Sequence, residues 1–151
     1  MGYLMRRNIL VYKAPERNEG YDLICIHPDA RHRPAKGKLA LVRVQVKSRC
    51  ATDCDRGFPV HQKSLDAFDY VVVVFLNIGR FSGKNDGECG QEDVAFYTLP
   101  NDYIQQHHDP SSSWQKVRLR LPEIEDFKNE KGFERIAQDL GIVKPRKKRS
   151  V

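Results

Sequence analysis

Long apolar runs are missing from this chain of 151 residues. The longest, Val71–Leu76, has six residues, far fewer than the roughly 20 that a membrane-spanning helix needs. The sequence does not open with a charged segment followed by an apolar one, so no secretory signal is predicted. We therefore expect a protein without a membrane partner.

Cysteine is also scarce, at four irregularly spaced positions: Cys25, Cys50, Cys54 and Cys89. This excludes a disulfide scaffold in a chain of this length and favours a reducing, cytoplasmic location, or a nuclear one in a eukaryote. Cys50 and Cys54 lie near His61, as in some zinc sites. Because the isolated Cys89 supplies no second pair with ligand spacing, structural zinc is not predicted.

The chain has a small excess of positive charge, and this excess is unevenly distributed along the sequence. Lys and Arg number 26 against 20 Asp and Glu, a formal net charge of +6. The last segment, 144–151, holds five basic residues and no acidic one, which leaves +1 for residues 1–143. We expect 1–143 to be a single domain and 144–151 to be a disordered tail. The tail would add salt-sensitive affinity for nucleic acid and, in a eukaryote, resembles a nuclear localisation signal.

In the first half of the chain, the sequence pattern predicts a clear order of strands and helices. β-Branched and aromatic runs predict strands over Asn8–Ala14, Tyr21–Ile26 and Leu39–Lys47. A short helix over His61–Phe68 and an almost wholly apolar strand over Asp69–Leu76 follow. Such an apolar strand is typical of a central position, and the long connection before it favours parallel pairing with the third strand.

The second half predicts a strand over Val94–Leu99, a helix from Pro100 to His107 and a half-exposed strand over Trp114–Leu121. Pro122–Leu140 has helical periodicity, with a break expected at Gly132. The fold class is therefore α/β, with a mixed central sheet of about five or six strands flanked by helices.

The third predicted strand separates apolar from polar side chains. Its even positions are Ala40, Val42, Val44 and Val46, and its odd positions include Arg43, Gln45 and Lys47. Because side chains alternate between the faces of a strand, one face is predicted to join the core and the other to carry polar groups.

Asp22, at the start of the second strand, can meet Gln45 and Lys47 across the predicted hairpin. Hydrolysis of a phosphodiester needs a hard cation held by oxygen ligands beside the phosphate. Asp22 supplies a carboxylate, Gln45 an amide oxygen and Val46 a main-chain carbonyl. Lys47 can orient the attacking water or stabilise the developing negative charge.

These residues resemble the PD-(D/E)xK nuclease superfamily, in the subgroup with Gln at the second acidic position. The match rests on Gly20-Tyr-Asp22-Leu-Ile and Val44-Gln-Val-Lys47-Ser, followed by a short helix and an apolar strand, and it covers about residues 8–99. The resemblance implies a restriction-endonuclease-like fold, Mg²⁺ (or Mn²⁺) as cofactor, and catalysis by Asp22, Gln45 and Lys47. It also implies DNA as substrate and a homodimer, since cutting both strands of a duplex normally needs two sites.

Two features depart from this family's pattern. Gln45 replaces an acid and so removes one negative charge from the ligand set. Only Met1–Arg7 precede the first predicted strand, too few for the helix that usually opens the family's core; Glu16 and Glu19 are the nearest acids that could substitute for a ligand on that helix.

A cluster of basic residues follows the second predicted strand. Seven basic residues and one acidic residue lie between Asp29 and Arg49. The predicted hairpin would place them as a positive ridge beside the site, where they would contact DNA phosphates; a solvated loop is the alternative. The residues predicted to bind nucleic acid are Arg31, Arg33, Lys36, Lys38, Arg43 and Arg49.

Three interpretations of the chain remain open at this point. The first is a metal-dependent endonuclease. The second is a catalytically inactive nucleic-acid-binding module on the same fold. The third is a protein-interaction domain, in which Asp22 only caps a turn and Lys47 is a solvated charge at the end of a strand.

Overall fold

A computed structural model describes residues 1–49, 57–77 and 93–142 of the chain. Cys50, Cys54, Cys89 and the basic tail 144–151 lie outside the described residues. Among the residues that are described, no helix is long and apolar enough to cross a membrane. The strands are β1 Leu10–Lys13, β2 Leu23–Ile26, β3 Leu41–Arg49, β4 Gly57–Pro59, β5 Tyr70–Phe75, β6 Ala95–Pro100 and β7 Lys116–Arg118. The helices are α1 Gly2–Met5, α2 Asn101–His107, α3 Leu121–Ile124 and α4 Asn129–Asp139, with 3-10 turns at Gln62–Ser64 and Glu125–Phe127.

The central sheet has five strands in the order β1-β2-β3-β5-β6. β3 and β5 pair in parallel and the other neighbours pair antiparallel. The predicted α/β class with a mixed central sheet is therefore confirmed. The apolar strand β5 is buried along nearly its whole length, as its composition predicted.

Each face of the sheet packs on its own apolar cluster. On one face, Phe133, Ile136 and Ala137 of α4, with Leu140 just after it, form a core with Val42, Val44 and Val72 of the sheet. On the other face, Val71, Val73 and Phe75 of β5 pack with residues from β4, α2, β7 and α3. The side chains of β5 thus alternate between two cores, which is why a strand of continuous apolar residues is stable at this position.

The predicted break in the last helix lies earlier than Gly132. The helical segment is interrupted before Asn129, where the backbone has a positive φ of 47°, and Gly132 is buried within α4. A Cβ at Gly132 would overlap the carbonyl oxygen of Phe127 and crowd the Thr98 side chain of β6. Gly132 therefore permits close packing of the helix on the sheet and does not end it. Gly141, with φ of 76°, lies just after the end of α4.

The alternation predicted for β3 is correct only in part. Val42 and Val44 are fully buried, but Ala40 precedes the strand and is exposed, and Val46 is 36% exposed. The reason is that β2 begins at Leu23, which pairs with Val44. Val46 extends beyond that neighbour and has no strand covering its edge.

Two other predicted elements are shorter in the structure. The helix expected over His61–Phe68 is a 3-10 turn at Gln62–Ser64. The strand expected over Trp114–Leu121 is limited to β7, which pairs with β4 in a separate two-stranded sheet. Val117 and Leu119 are nevertheless buried and Arg118 and Arg120 exposed, so its predicted half-exposed pattern is confirmed.

Candidate active site

Asp22 is positioned by a tight turn immediately before β2. Gly20 has a φ of 107°, a conformation that favours glycine, and a Cβ there would overlap the Ala67 side chain. The Asp22 N–H donates to the Val44 carbonyl at 2.9 Å. Its carboxylate Oδ2 accepts from the Val46 N–H at 2.6 Å. The acid is therefore attached to the edge of β3 at the peptide that joins Gln45 to Val46.

The main-chain carbonyl of Val46 belongs to the same edge. In an extended strand, the N–H and C=O of one residue point toward the same neighbouring strand. Because the Val46 N–H points toward Asp22, its carbonyl oxygen also points to this edge. The exposed Asp22 carboxylate and the Val46 carbonyl each offer an oxygen to a ligand. β2 begins at Leu23, opposite Val44, so the pairing of β2 with β3 does not use these two oxygens.

Gln45 supplies a third oxygen, with an unusual environment. Its partner in the parallel register is the fully buried Val71, which places Gln45 on the sheet face opposite α4. The amide oxygen Oε1 is itself buried and has no hydrogen-bond partner among the described residues. A buried polar atom without a partner is costly, so this oxygen would gain from a ligand.

Lys47 lies two residues further along β3 on the same face. It pairs with the buried Val73 and is itself half-buried. No hydrogen bond or ion pair joins its ammonium group to the described part of the chain. The hydrophobic stem packs on the sheet while the charge remains available, as is common for lysine.

The donor set of Asp22, Gln45 and Val46 matches the oxygen ligands that Mg²⁺ prefers. It carries only one negative charge, and no group of three or more His, Cys, Asp or Glu suited to a metal occurs in residues 1–49, 57–77 and 93–142. The oxygens of this donor set are of the kind that Mg²⁺ takes, and a single negative charge would hold the ion weakly, with several waters retained. Glu16 is exposed, and Glu19 forms an exposed ion pair with Lys63 at 3.2 Å.

The basic loop residues lie at the other end of the β2–β3 hairpin. The loop leaves β2 after Ile26 and enters β3 at Leu41, whereas Asp22 precedes β2. The position expected for this loop, beside the site, is therefore wrong, because the register of the hairpin separates it by about 13 Å of strand. Arg31 pairs with Asp29 at 3.3 Å and Arg33 donates to the His32 carbonyl at 3.2 Å. Lys36 and Lys38 are exposed.

Arg43 and Arg49, in contrast, lie on β3 but are used within the protein. Arg43 binds both carboxylate oxygens of Asp69, and these hydrogen bonds raise the pKa of its guanidinium. Arg49 donates twice to the Gly57 carbonyl, at 2.9 and 2.7 Å. Arg43 fixes the start of β5 against β3, and Arg49 ties the end of β3 to β4.

Sequence reasoning missed the positioning role of Asp69. This residue also accepts from the Arg43 N–H at 2.7 Å, so it holds the backbone of β3 as well as its side chain. The available signal was an acid directly before an apolar strand predicted to lie parallel to a strand carrying arginine.

Comparisons of the chain with protein-family models, with curated proteins and with solved structures found no match.

Proposed function

We propose that this protein is a metal-dependent endonuclease that hydrolyses DNA phosphodiester bonds. The observation that carries the proposal is the hydrogen bond between the Asp22 carboxylate and the Val46 N–H. It anchors an acid at the peptide between Gln45 and Val46, with Lys47 one residue further along β3. The resemblance to the PD-(D/E)xK superfamily is part of the proposal, and so is a homodimer with one site in each subunit.

Each residue has a distinct role in the proposed reaction. Asp22, the Gln45 amide oxygen and the Val46 carbonyl would hold Mg²⁺, with Mn²⁺ as a substitute. The bound ion supplies Lewis-acid activation of the phosphate and a water of lowered pKa. Lys47 holds the attacking water in line with the scissile bond and neutralises charge on the phosphoryl oxygens. Asp22 keeps its orientation because Val46 donates to one of its oxygens.

Asp22→Asn and Lys47→Met are the variants that test this mechanism. Asparagine can still accept from the Val46 N–H but lacks the charge, and methionine keeps the apolar stem of lysine. We expect each to lower the rate of plasmid cleavage in Mg²⁺ by about 100-fold or more, with unchanged circular dichroism. Lys131→Met, at an exposed position of α4 on the other face of the sheet, is the matched control and should cleave normally. Unchanged cleavage by both variants would disprove the proposal.

A catalytically inactive DNA-binding module is the second candidate. It is favoured by the single negative charge of the ligand set, because Gln45 replaces an acid. This candidate predicts salt-dependent DNA binding without turnover in either Mg²⁺ or Mn²⁺. A chain lacking residues 144–151 separates it from a protein-interaction domain: if the deletion removes all affinity for DNA, the nearly neutral body does not bind nucleic acid.

A further inference from the structure

The two-stranded sheet of β4 and β7 has one face turned away from the core. Val117 and Leu119 are buried, and the residues that alternate with them, Arg118 and Arg120, are exposed. Trp114 precedes β7 on the loop that leads into it. We call Trp114, Arg118 and Arg120 the outer ribbon face.

Trp114 is 68% exposed, the most exposed of the large hydrophobic residues in the described chain. Its ring makes no aromatic or cation–π contact with described residues. Tryptophan has a large apolar area and a flat face, so an exposed indole is well suited to stacking on a ligand.

The backbone beside Trp114 is fixed by hydrogen bonds on both sides. The Gln115 carbonyl accepts from the Val60 N–H at 3.2 Å, and its side-chain Oε1 accepts from the Gln62 N–H at 2.8 Å. The Ser112 hydroxyl accepts from the Lys116 N–H at 3.0 Å. The ring is therefore presented on a preorganised loop, which reduces the entropy lost on binding.

Arg118 connects the outer ribbon face to the candidate active site. It lies opposite Gly57 in the β4–β7 register. The carbonyl of the same glycine accepts both hydrogen bonds from Arg49 of β3, and Lys47 lies two residues before Arg49. The ribbon thus starts beside the strand that carries Lys47, and Trp114 lies on the turn that precedes β7.

The charges of this face are available to an anion. Arg118 is exposed and forms no ion pair with the described residues. Arg120 pairs with Glu123 at 3.6 Å, but both side chains are exposed, and such pairs are weak and screened by salt. The Ser111 hydrogen bonds and, to a smaller extent, the charge of Arg118 lower the pKa of the exposed Asp109 carboxyl, so Arg118 is weakly attracted to this carboxylate across solvent without an ion pair.

We propose that the outer ribbon face binds an unpaired DNA strand that leads into the active site. Arg118 and Arg120 contact its phosphates and Trp114 stacks on one base. This inference rests on the proposed nuclease function and names its substrate: DNA with a single-stranded arm or end. In a duplex both faces of an internal base are covered by neighbours, so only an unpaired base can offer a face to the indole.

The test uses the fluorescence of Trp114, the only tryptophan in the sequence. In EDTA, without cleavage, a short oligothymidylate should quench the emission, and a blunt duplex of matched length should quench it much less. Trp114→Ala should weaken binding of labelled oligothymidylate by about 10-fold or more, since stacking on an aromatic ring contributes that much per base. Arg118→Ala should weaken it and reduce its salt dependence.

Lys131→Ala is the matched control for removal of an exposed cation and should leave the quenching unchanged. Trp114→Phe should recover most of the lost affinity, because it restores a stacking ring. Equal quenching by single strand and duplex, or normal oligothymidylate affinity of Trp114→Ala, would overturn the proposal. Asp22→Asn distinguishes single-strand binding by the outer ribbon face from the proposed nuclease activity. Quenching should persist in that variant whether or not cleavage is lost.

Discussion

Gln45 determines how strongly the proposed site can hold a metal ion. Its amide oxygen is buried without a partner, which costs stability in the absence of a ligand. A glutamate at this position would add a second negative charge beside Asp22. The same charge would be desolvated and unpaired when no cation is bound.

Gln45→Glu should therefore be less stable than the natural chain in EDTA and more strongly stabilised by Mn²⁺. The measurement is the melting temperature with and without Mn²⁺, because a ligand that binds only the folded state raises it according to affinity. Gln45→Ala serves as control, since it lacks the oxygen and should show the smallest shift. Equal shifts in all three proteins would exclude Gln45 as a ligand.

α4 depends on the absence of a side chain at one of its positions. Gly132 lies where the helix touches the Phe127 carbonyl and Thr98 of β6, and a Cβ there would overlap both neighbours. In an isolated helix, alanine is more favourable than glycine by about 1 kcal/mol. Here the steric overlap outweighs that gain, because one of the overlapping atoms, the Phe127 carbonyl oxygen, belongs to the backbone. It cannot move away as easily as the end of a flexible side chain.

Gly132→Ala should lower the free energy of unfolding by at least about 2 kcal/mol. Urea denaturation monitored by circular dichroism would measure it. Gly2→Ala is the matched control: a Cβ at Gly2 has no heavy atom within 4 Å, so this change should be close to neutral. A stabilised Gly132→Ala protein would show that α4 can shift away from β6.

The elements that local patterns determine were predictable, and those that depend on register were not. Period-2 alternation identified Gln45 and Lys47 as one polar face of β3, and continuous apolarity identified β5 as central. The exposure of Val46 follows from where β2 begins, which is a tertiary property. Gly132 resembles a helix breaker in sequence, and only the packing of α4 on β6 shows its role. The chemistry of the candidate site was readable, but the separation of the basic loop from it was not.

At the scale of the whole molecule, the core on the α4 side contains two groups that must stay protonated. Burial raises the pKa of the Cys25 thiol to about 12. Burial, together with the hydrogen bond that Tyr70 donates to Asp139 at 2.6 Å, also raises the pKa of the Tyr70 hydroxyl. The unfolded chain loses these protons at lower pH than the folded one, so the contribution to stability is complete below the unfolded pKa values.

Stability should therefore fall as the pH rises above about 9. Cys25 alone would contribute a loss of about 1.4 kcal/mol per pH unit between its unfolded and folded pKa values. Urea unfolding at several pH values from neutral to about 10 would measure the slope. Cys25→Ala should reduce that slope even though the smaller side chain lowers stability overall. An identical slope in Cys25→Ala would show that the thiol does not titrate on unfolding.

The single parallel pairing of β3 with β5 has a consequence for how the molecule folds. The sheet consists of two antiparallel units, β1-β2-β3 and β5-β6, each made of strands that are consecutive in the chain. Joining them brings Arg43 to Asp69, 26 residues apart, and closing that loop costs entropy before contacts compensate. We expect this pairing to be the slow kinetic step. Asp22, Gln45 and Lys47 all belong to the β1-β2-β3 unit, so the candidate site would be assembled before this pairing, while Gln45 and Lys47 would gain Val71 and Val73 as neighbours only when it forms.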